Sequence, residues 1–273
     1  MFSKEWVMDN LSPNYGVVCR IKKPIYKHQS KFQKIEIVDT YEFGKLLILD
    51  GAFQTAEKEE APYHECIVHP PLLIHPRPKN ILIIGGGDGG ALREVLRHPV
   101  SKVVMVEIDK EVVEVCQKYL PINRGAFEDK RTELIFTDGA EYLKKVKNAF
   151  DVIIIDSTDP VKQGKHIFNH QFHKNVFTAL KADGVAARQS GSPLFQLPTV
   201  RRTYRSLKKI FPYVELYLAD IPLYGGNWSF TIGFKVYFPG KLRKLRFPTQ
   251  YYNNSFYQGA RCLPEYLSEY LSK

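Results

Sequence analysis

A chain of 273 residues can form one large domain or two modest ones, each with its own core, so folding requires neither disulfides nor a structural metal. Its composition, 44% hydrophobic and 25% charged, excludes collagenous, disordered and low-complexity chains. A net charge of +10 makes nucleic acid or another anionic surface the first partner class to weigh.

In chain order, the N-terminus lacks the apolar stretch of a signal peptide. Residues 14–19, 30–38 and 45–49 read as short strands. The segment 33–38 alternates polar with apolar, as a half-buried antiparallel strand does. Residues 41–44, 50–51 and 54–60 read as turns or polar breaks. The expectation is a small antiparallel β domain over 1–74. From Asn80 the rhythm changes. Apolar strands at 80–84, 103–106, 133–137, 152–155 and 184–188 alternate with helical patterns at 91–98, 110–119, 140–146, 169–180 and 199–211. Residues 229–235 and 236–238 close the series as strands. This alternation predicts βαβ units and a mostly parallel α/β sheet over 75–273, Rossmann-like and of the class I methyltransferase type. Strands such as NILIIG and DVIIID are apolar throughout, as a sheet covered on both faces requires. No apolar run approaches the roughly 18 residues of a membrane helix. Cys19, Cys66, Cys116 and Cys262 form no CxxC pair and read as free thiols of a cytoplasmic protein.

In an open parallel sheet, ligands bind beyond the carboxyl ends of the strands. The residues found there are Gly85, Gly86, Gly87 and Asp88, then Glu107, Asp138 with Gly139, and Asp156. The glycines let a ligand approach the backbone closely. Asp88 would repel a pyrophosphate, and no GK(S/T) follows, so the loop suits a cation better than phosphates. Glu107 lies near the roughly 20-residue spacing at which an acid accepts ribose hydroxyls. Asp138 can accept an adenine amino proton, or simply cap the helix that follows. Together they describe an adenosine site with a cation beside the ribose. An S-adenosyl sulfonium fits; NAD is the competitor, without a phosphate-friendly partner. Asp156 and Asp159 in the string DSTDP can face one small pocket as proton acceptor and cation anchor, although the same string also suits a turn.

These motifs resemble the polyamine aminopropyltransferases, and among them the spermidine synthases. The likeness rests on GGGDGG, Glu107, Asp138-Gly139 and DSTDP. Upstream it takes in Asp50-Gly51, Gln54, Glu60 and Tyr63-His64-Glu65; downstream, Tyr224 in IPLYGGNWSF. The resemblance implies transfer of an aminopropyl group from decarboxylated S-adenosylmethionine, a co-substrate, to an amine, with putrescine the first choice. No cofactor or metal is implied. Asp156 would take the proton. Asp88 and Asp159 would hold the other cationic nitrogens, while Tyr63, His64 and Tyr224 position the amine. Gln33, Glu107, Asp138 and the glycines would hold the nucleoside. Family members form dimers or tetramers through the N-terminal region, so a homo-oligomer is expected. The acids cluster where a nucleic-acid site would need basic groups; the run KLRKLR at 241–246 reads as a solvated face. Three departures from the family pattern are Glu59 before Glu60, Lys162-Gln163 after DSTDP, and Gly191 where an acid is usual. They leave other acceptors open: agmatine, cadaverine, diaminopropane or spermidine. An S-adenosylmethionine-dependent amine methyltransferase and a non-catalytic polyamine-binding homologue are the rival classes.

Overall fold

The computed structural model describes residues 5–157, 169–236 and 242–272. The chain opens with five antiparallel strands in sequential order: β1 (Trp6–Ser12), β2 (Tyr15–Gln29), β3 (Lys34–Thr40), β4 (Gly44–Leu49) and β5 (Ala52–Ala56). The strand expected at 14–19 runs on to Gln29, with its register to β3 shifting on both sides of Pro24, which offers no N–H to the ladder. Residues 52–56, partly assigned to a polar break, form β5. Its polar letters hide an alternation that buries Phe53 and Thr55. Asp9 on β1 accepts the Phe53 N–H at 2.9 Å, so the first strand of the sheet meets the last.

Seven strands form the second sheet: β6 (Asn80–Gly85), β7 (Lys102–Glu107), β8 (Thr132–Phe136), β9 (Phe150–Asp156), β10 (Leu180–Gly191), β11 (Tyr213–Ile221) and β12 (Gly226–Phe234). Their order is β11-β12-β10-β9-β6-β7-β8. β6 to β10 run parallel, and β12 is antiparallel to both its neighbours. The sequence reading placed the last two strands at 229–235 and 236–238. The first is β12, which pairs antiparallel with an unexpected strand, β11, while Lys235 and Val236 lie in a bend and 237–238 fall outside the described residues. β11 escaped notice because it is an edge strand whose mixed string YVELYLADI is only partly buried.

The helices are α1 (Ala61–Ile74), α2 (Gly90–Leu96), α3 (Lys110–Tyr119), α4 (Gly139–Lys144), α5 (His170–Ala179), α6 (Leu197–Lys208), α7 (Asn254–Ala260) and α8 (Glu265–Ser272). α1, grouped on sequence with the small β domain, packs on α2 and against β9 to β12 of the larger sheet. α4, α5 and α6 cover the opposite face through Leu143, Phe172, Val176 and Leu207. Ile35, Ile37, Leu47 and Leu49 of the N-terminal sheet bury against Val112, Val115 and Cys116 of α3, which joins the two sheets. Cys19, Cys66 and Cys116 are buried, Cys262 is exposed, and all four are free thiols. No helix among the described residues is long and apolar enough to cross a membrane. From β6 the sheet continues to β7 on one side and β9 on the other, a topological switch point that opens a crevice at the carboxyl ends of these strands.

Candidate active site

Gly85 ends β6 at the crevice with a φ of 84°. A Cβ there would overlap the carbonyl oxygen of Asp156 on neighbouring β9, so only glycine lets the two strand ends close up. The loop through Gly86, Gly87 and Asp88 then delivers the chain into α2, where the Asp88 carboxylate accepts the Gly90 N–H at 2.6 Å. The result is a cleft of about 610 Å³ bounded by both sheets.

One side carries Glu107 and Asp138. Glu107 ends β7 and accepts the N–H groups of Ile108 at 2.7 Å and Asp109 at 3.0 Å through Oε1. Burial pushes its carboxyl up to about 7, against the pull of those two donors. Asp138 caps α4 by accepting the Ala140 N–H at 2.7 Å, so the capping role foreseen for it is present alongside its place on the cleft wall. Gln33 approaches from the N-terminal sheet. Its Nε2 donates to Asp109 Oδ2 at 3.1 Å, and Ser30 Oγ donates to the same oxygen at 2.6 Å. Asp109 in turn caps α3, so these bonds tie the β2–β3 turn to the loop that follows Glu107.

The other side is assembled from distant segments. Tyr63, on the first turn of α1, donates to Asp156 Oδ1 at 2.6 Å. The other oxygen, Asp156 Oδ2, is buried with no hydrogen-bond partner among the described residues. Burial, then the neighbouring Asp88 charge, raise the Asp156 carboxyl to about 6, opposed by the His64 charge and the Tyr63 hydroxyl. Tyr224 packs edge-on to Tyr63 and against Trp228, with ring centroids at 5.7 and 4.7 Å, and its hydroxyl donates to the Gln54 carbonyl. Among the described residues no lysine or arginine lines the cleft, while Asp88, Glu107, Asp138 and Asp156 all do. The positive charge of the chain therefore lies elsewhere, and the local field favours cations.

The comparisons with known proteins agree with this geometry. Residues 60–239 match the spermine/spermidine synthase domain, and residues 5–57 match the spermidine synthase tetramerisation domain. The chain belongs to the spermine/spermidine synthase family. It is 44% identical over 269 residues to a polyamine aminopropyltransferase of Caldicellulosiruptor saccharolyticus, covering 97% of both chains. It is 41% identical to one of Moorella thermoacetica, covering 97% of this chain and 96% of that one. Among solved structures, a spermidine synthase in complex with the transition-state analogue AdoDATO superposes with a TM-score of 0.95 at 38% identity, covering 99% of this chain and 96% of that one. The spermidine synthase of Thermotoga maritima gives 0.92, also at 38% identity, covering 98% of this chain and 94% of that one.

Within this aminopropyltransferase framework the cleft wall gathers Gln33, Tyr63, the glycines, Asp88, Glu107, Asp138, Gly139, Asp156 and Tyr224. His64 does not reach that wall. It is fully buried behind it, between Glu60 and Asp88. Asp159, Lys162 and Gln163 lie outside the described residues. At Gly191, with a φ of 94°, a Cβ would overlap Gln196 Oε1, so the place open to a side chain there is taken by Gln196, which lines the cleft. Sequence reasoning missed Gln189, Gln196 and Trp228. Gln189 Nε2 donates to the Ser157 carbonyl at 3.0 Å and steadies the backbone just past Asp156, and the Trp228 indole N–H is buried without a partner among the described residues. Only position signalled them: Gln189 and Trp228 near the ends of β10 and β12, and Gln196 at the start of α6. The partnership of Glu60 with Arg93, across separate helices, left no local signal at all.

Proposed function

We propose that the protein transfers the aminopropyl group of decarboxylated S-adenosylmethionine to putrescine, giving spermidine and 5′-methylthioadenosine, and that it does so as a homodimer or homotetramer assembled through its N-terminal sheet. The observation that carries the reading is the Asp156 carboxylate. One oxygen is oriented by Tyr63, the other is buried and open, and it stands between a nucleoside-type strand-end pair and an aromatic wall.

Glu107 holds the ribose hydroxyls, Asp138 the adenine amino group, and Gln33 closes over the nucleoside from the N-terminal sheet. Tyr63, Tyr224 and Trp228 flank the methylenes of the amine. Asp88, with Asp159, balances the charge of its nitrogens. A primary amine is mostly ammonium near neutral pH, so the attacking nitrogen must first lose a proton. Asp156 accepts it. The nitrogen then attacks the carbon bonded to the sulfonium; the C–N bond forms as the C–S bond breaks, and the sulfur leaves as a neutral thioether. The leaving group is already activated, so positioning and charge placement carry most of the rate.

The test is an amine panel of putrescine, cadaverine, agmatine, diaminopropane and spermidine, with methylthioadenosine measured as the common product. A tenfold higher kcat/KM for putrescine, about 1.4 kcal/mol of transition-state preference, supports the named acceptor. A tenfold preference for another amine replaces the acceptor and keeps the chemistry. Methylated product from S-adenosylmethionine replaces the chemistry itself. Sedimentation as a monomer at micromolar concentration overturns the assembly.

A further inference from the structure

We propose that the buried Glu60–Arg93 ion pair is a positioning device that keeps His64 an imidazolium, and that this cation, one layer behind the cleft wall, sets the pH at which the site works. The inference rests on Asp156 as the proton acceptor.

The geometry begins with the ring itself. His64 Nδ1 lies 2.7 Å from Glu60 Oε2, and Nε2 lies 3.2 Å from Asp88 Oδ1. The Nε2 contact is an ion pair off the line of a hydrogen bond, but a neutral imidazole would still turn a lone pair toward one of these two carboxylates, and the cationic ring suits both. The ring has no room to turn. It occupies the space a Cβ at Gly90 would fill, and the Tyr63 ring packs edge-on at 5.3 Å. Glu60 is equally fixed: Arg93 grips it with two parallel bonds of 2.8 Å. Arg93 is itself held by Glu94 Oε1 and the Ile122 carbonyl, each at 2.8 Å. Glu60, His64, Arg93 and Glu94 are buried, and Asp88 is half-buried at the cleft.

The charged and titratable groups around His64 come from four places. Glu59 and Glu60 precede α1, Tyr63 lies on α1, Asp88 follows β6, and Asp156 ends β9. The four carboxylates outnumber the two cations, His64 and the Arg93 that pairs with Glu60. With His64 charged, Asp88 and Asp156 can ionise together. Without that charge, like-charge repulsion drives a proton onto one of them, and Asp156, already raised, is the one that takes it. The directions agree: against the opposing effect of burial, Asp88 first and then Glu60 draw His64 well above its ordinary range, and the His64 charge lowers both Asp88 and Asp156. Glu60 and Arg93 thus act on the base through His64, and neither lines the cleft.

Two measurements test this. In wild-type enzyme with 15N-labelled histidine, the His64 ring, assigned against His64→Gln, should show both nitrogens protonated from pH 6 to 8. A neutral ring at pH 7 overturns the proposal without reference to turnover, so it fails separately from the role given to Asp156. The second measurement is the pH profile of kcat/KM for Glu60→Gln, which keeps a hydrogen-bonding group and removes the charge. Its acid limb should move upward, with activity at pH 6 falling about tenfold more than at pH 9. Glu60→Asp should move the limb back toward wild type. An unmoved limb, or an equal loss at every pH, means that the pair is merely structural and overturns the proposal. If Glu60→Gln does not fold, the ring signal of the wild-type enzyme decides.

Discussion

On the side of the cleft proposed to hold the nucleoside, Glu107 and Asp138 are each held by backbone N–H groups of the next one or two residues. On the side proposed to hold the amine, Asp156, Tyr63, His64 and Asp88 hold one another through side chains drawn from β9, α1 and the loop after β6. The first arrangement is local and forms whenever a strand runs into a helix. The second exists only once two helices and two strands are packed. Damage should therefore stay local on the nucleoside side and spread on the amine side.

Asp156→Asn is the sharpest way to break the comparison. Asparagine keeps the size and the Tyr63 bond but cannot take a proton, so kcat should fall by about 10²-fold or more, the scale of a lost general base. Methylthioadenosine binding should hardly change. A destabilised variant with near wild-type kcat would remove Asp156 from proton transfer. On the other side, Glu107→Gln should weaken donor binding by roughly thirtyfold, from a lost charged hydrogen bond of about 2 kcal/mol. Its kcat at saturating donor should fall much less. If kcat and donor affinity fell together, the two sides would not be separable.

Gly90→Ala probes how damage spreads. The added methyl meets the His64 ring, and overpacking of this kind costs about 1–3 kcal/mol of stability. Expected together are a lower Tm and a higher KM for the amine, with donor Kd unchanged. A changed donor Kd would mean that the glycine loop links both sides. The smallest effect is on stability against pH. Glu60 is drawn down to about 2 chiefly by His64 and Arg93, against the opposing effect of burial. Its contribution is therefore full above the ordinary carboxylate pKa near 4.5 and fades as pH falls toward 2. His64, raised, contributes fully below its ordinary value near 6.5 and less as pH climbs through the folded one. Glu60→Gln should flatten the acid side of a Tm-against-pH curve; an unchanged acid slope would deny Glu60 that share.

The same contrast explains what was legible in the sequence. β6, β7 and β9 are uniformly apolar because both faces of their sheet are covered, and their ends point to Gly85, Glu107 and Asp156 by a rule of sheet topology. β1, β5 and β11 lie at sheet edges and carry Asp9, Gln54 and Glu215, so the alternation is diluted. On the nucleoside side each acid announces itself by position. Tyr63 and Tyr224 entered only through resemblance, because nothing local says that residue 63 will meet residue 156. The burial of His64 behind the wall needed the packing of α1 on α2, which no spacing encodes.

The residue after His64 reaches in another direction. Glu65 accepts the backbone N–H of Gln250, Tyr251 and Tyr252, at 2.8, 2.8 and 2.7 Å, and so ties the C-terminal segment to the helix that carries Tyr63. A tail of this kind is commonly trimmed or tagged without thought when a protein is prepared. Here its turn is wired two residues away from Tyr63, whose ring lines the cleft. Cleavage before residue 250 would leave a buried carboxylate facing three vacated positions, and protease resistance of that tail becomes a convenient gauge of whether the amine site is intact.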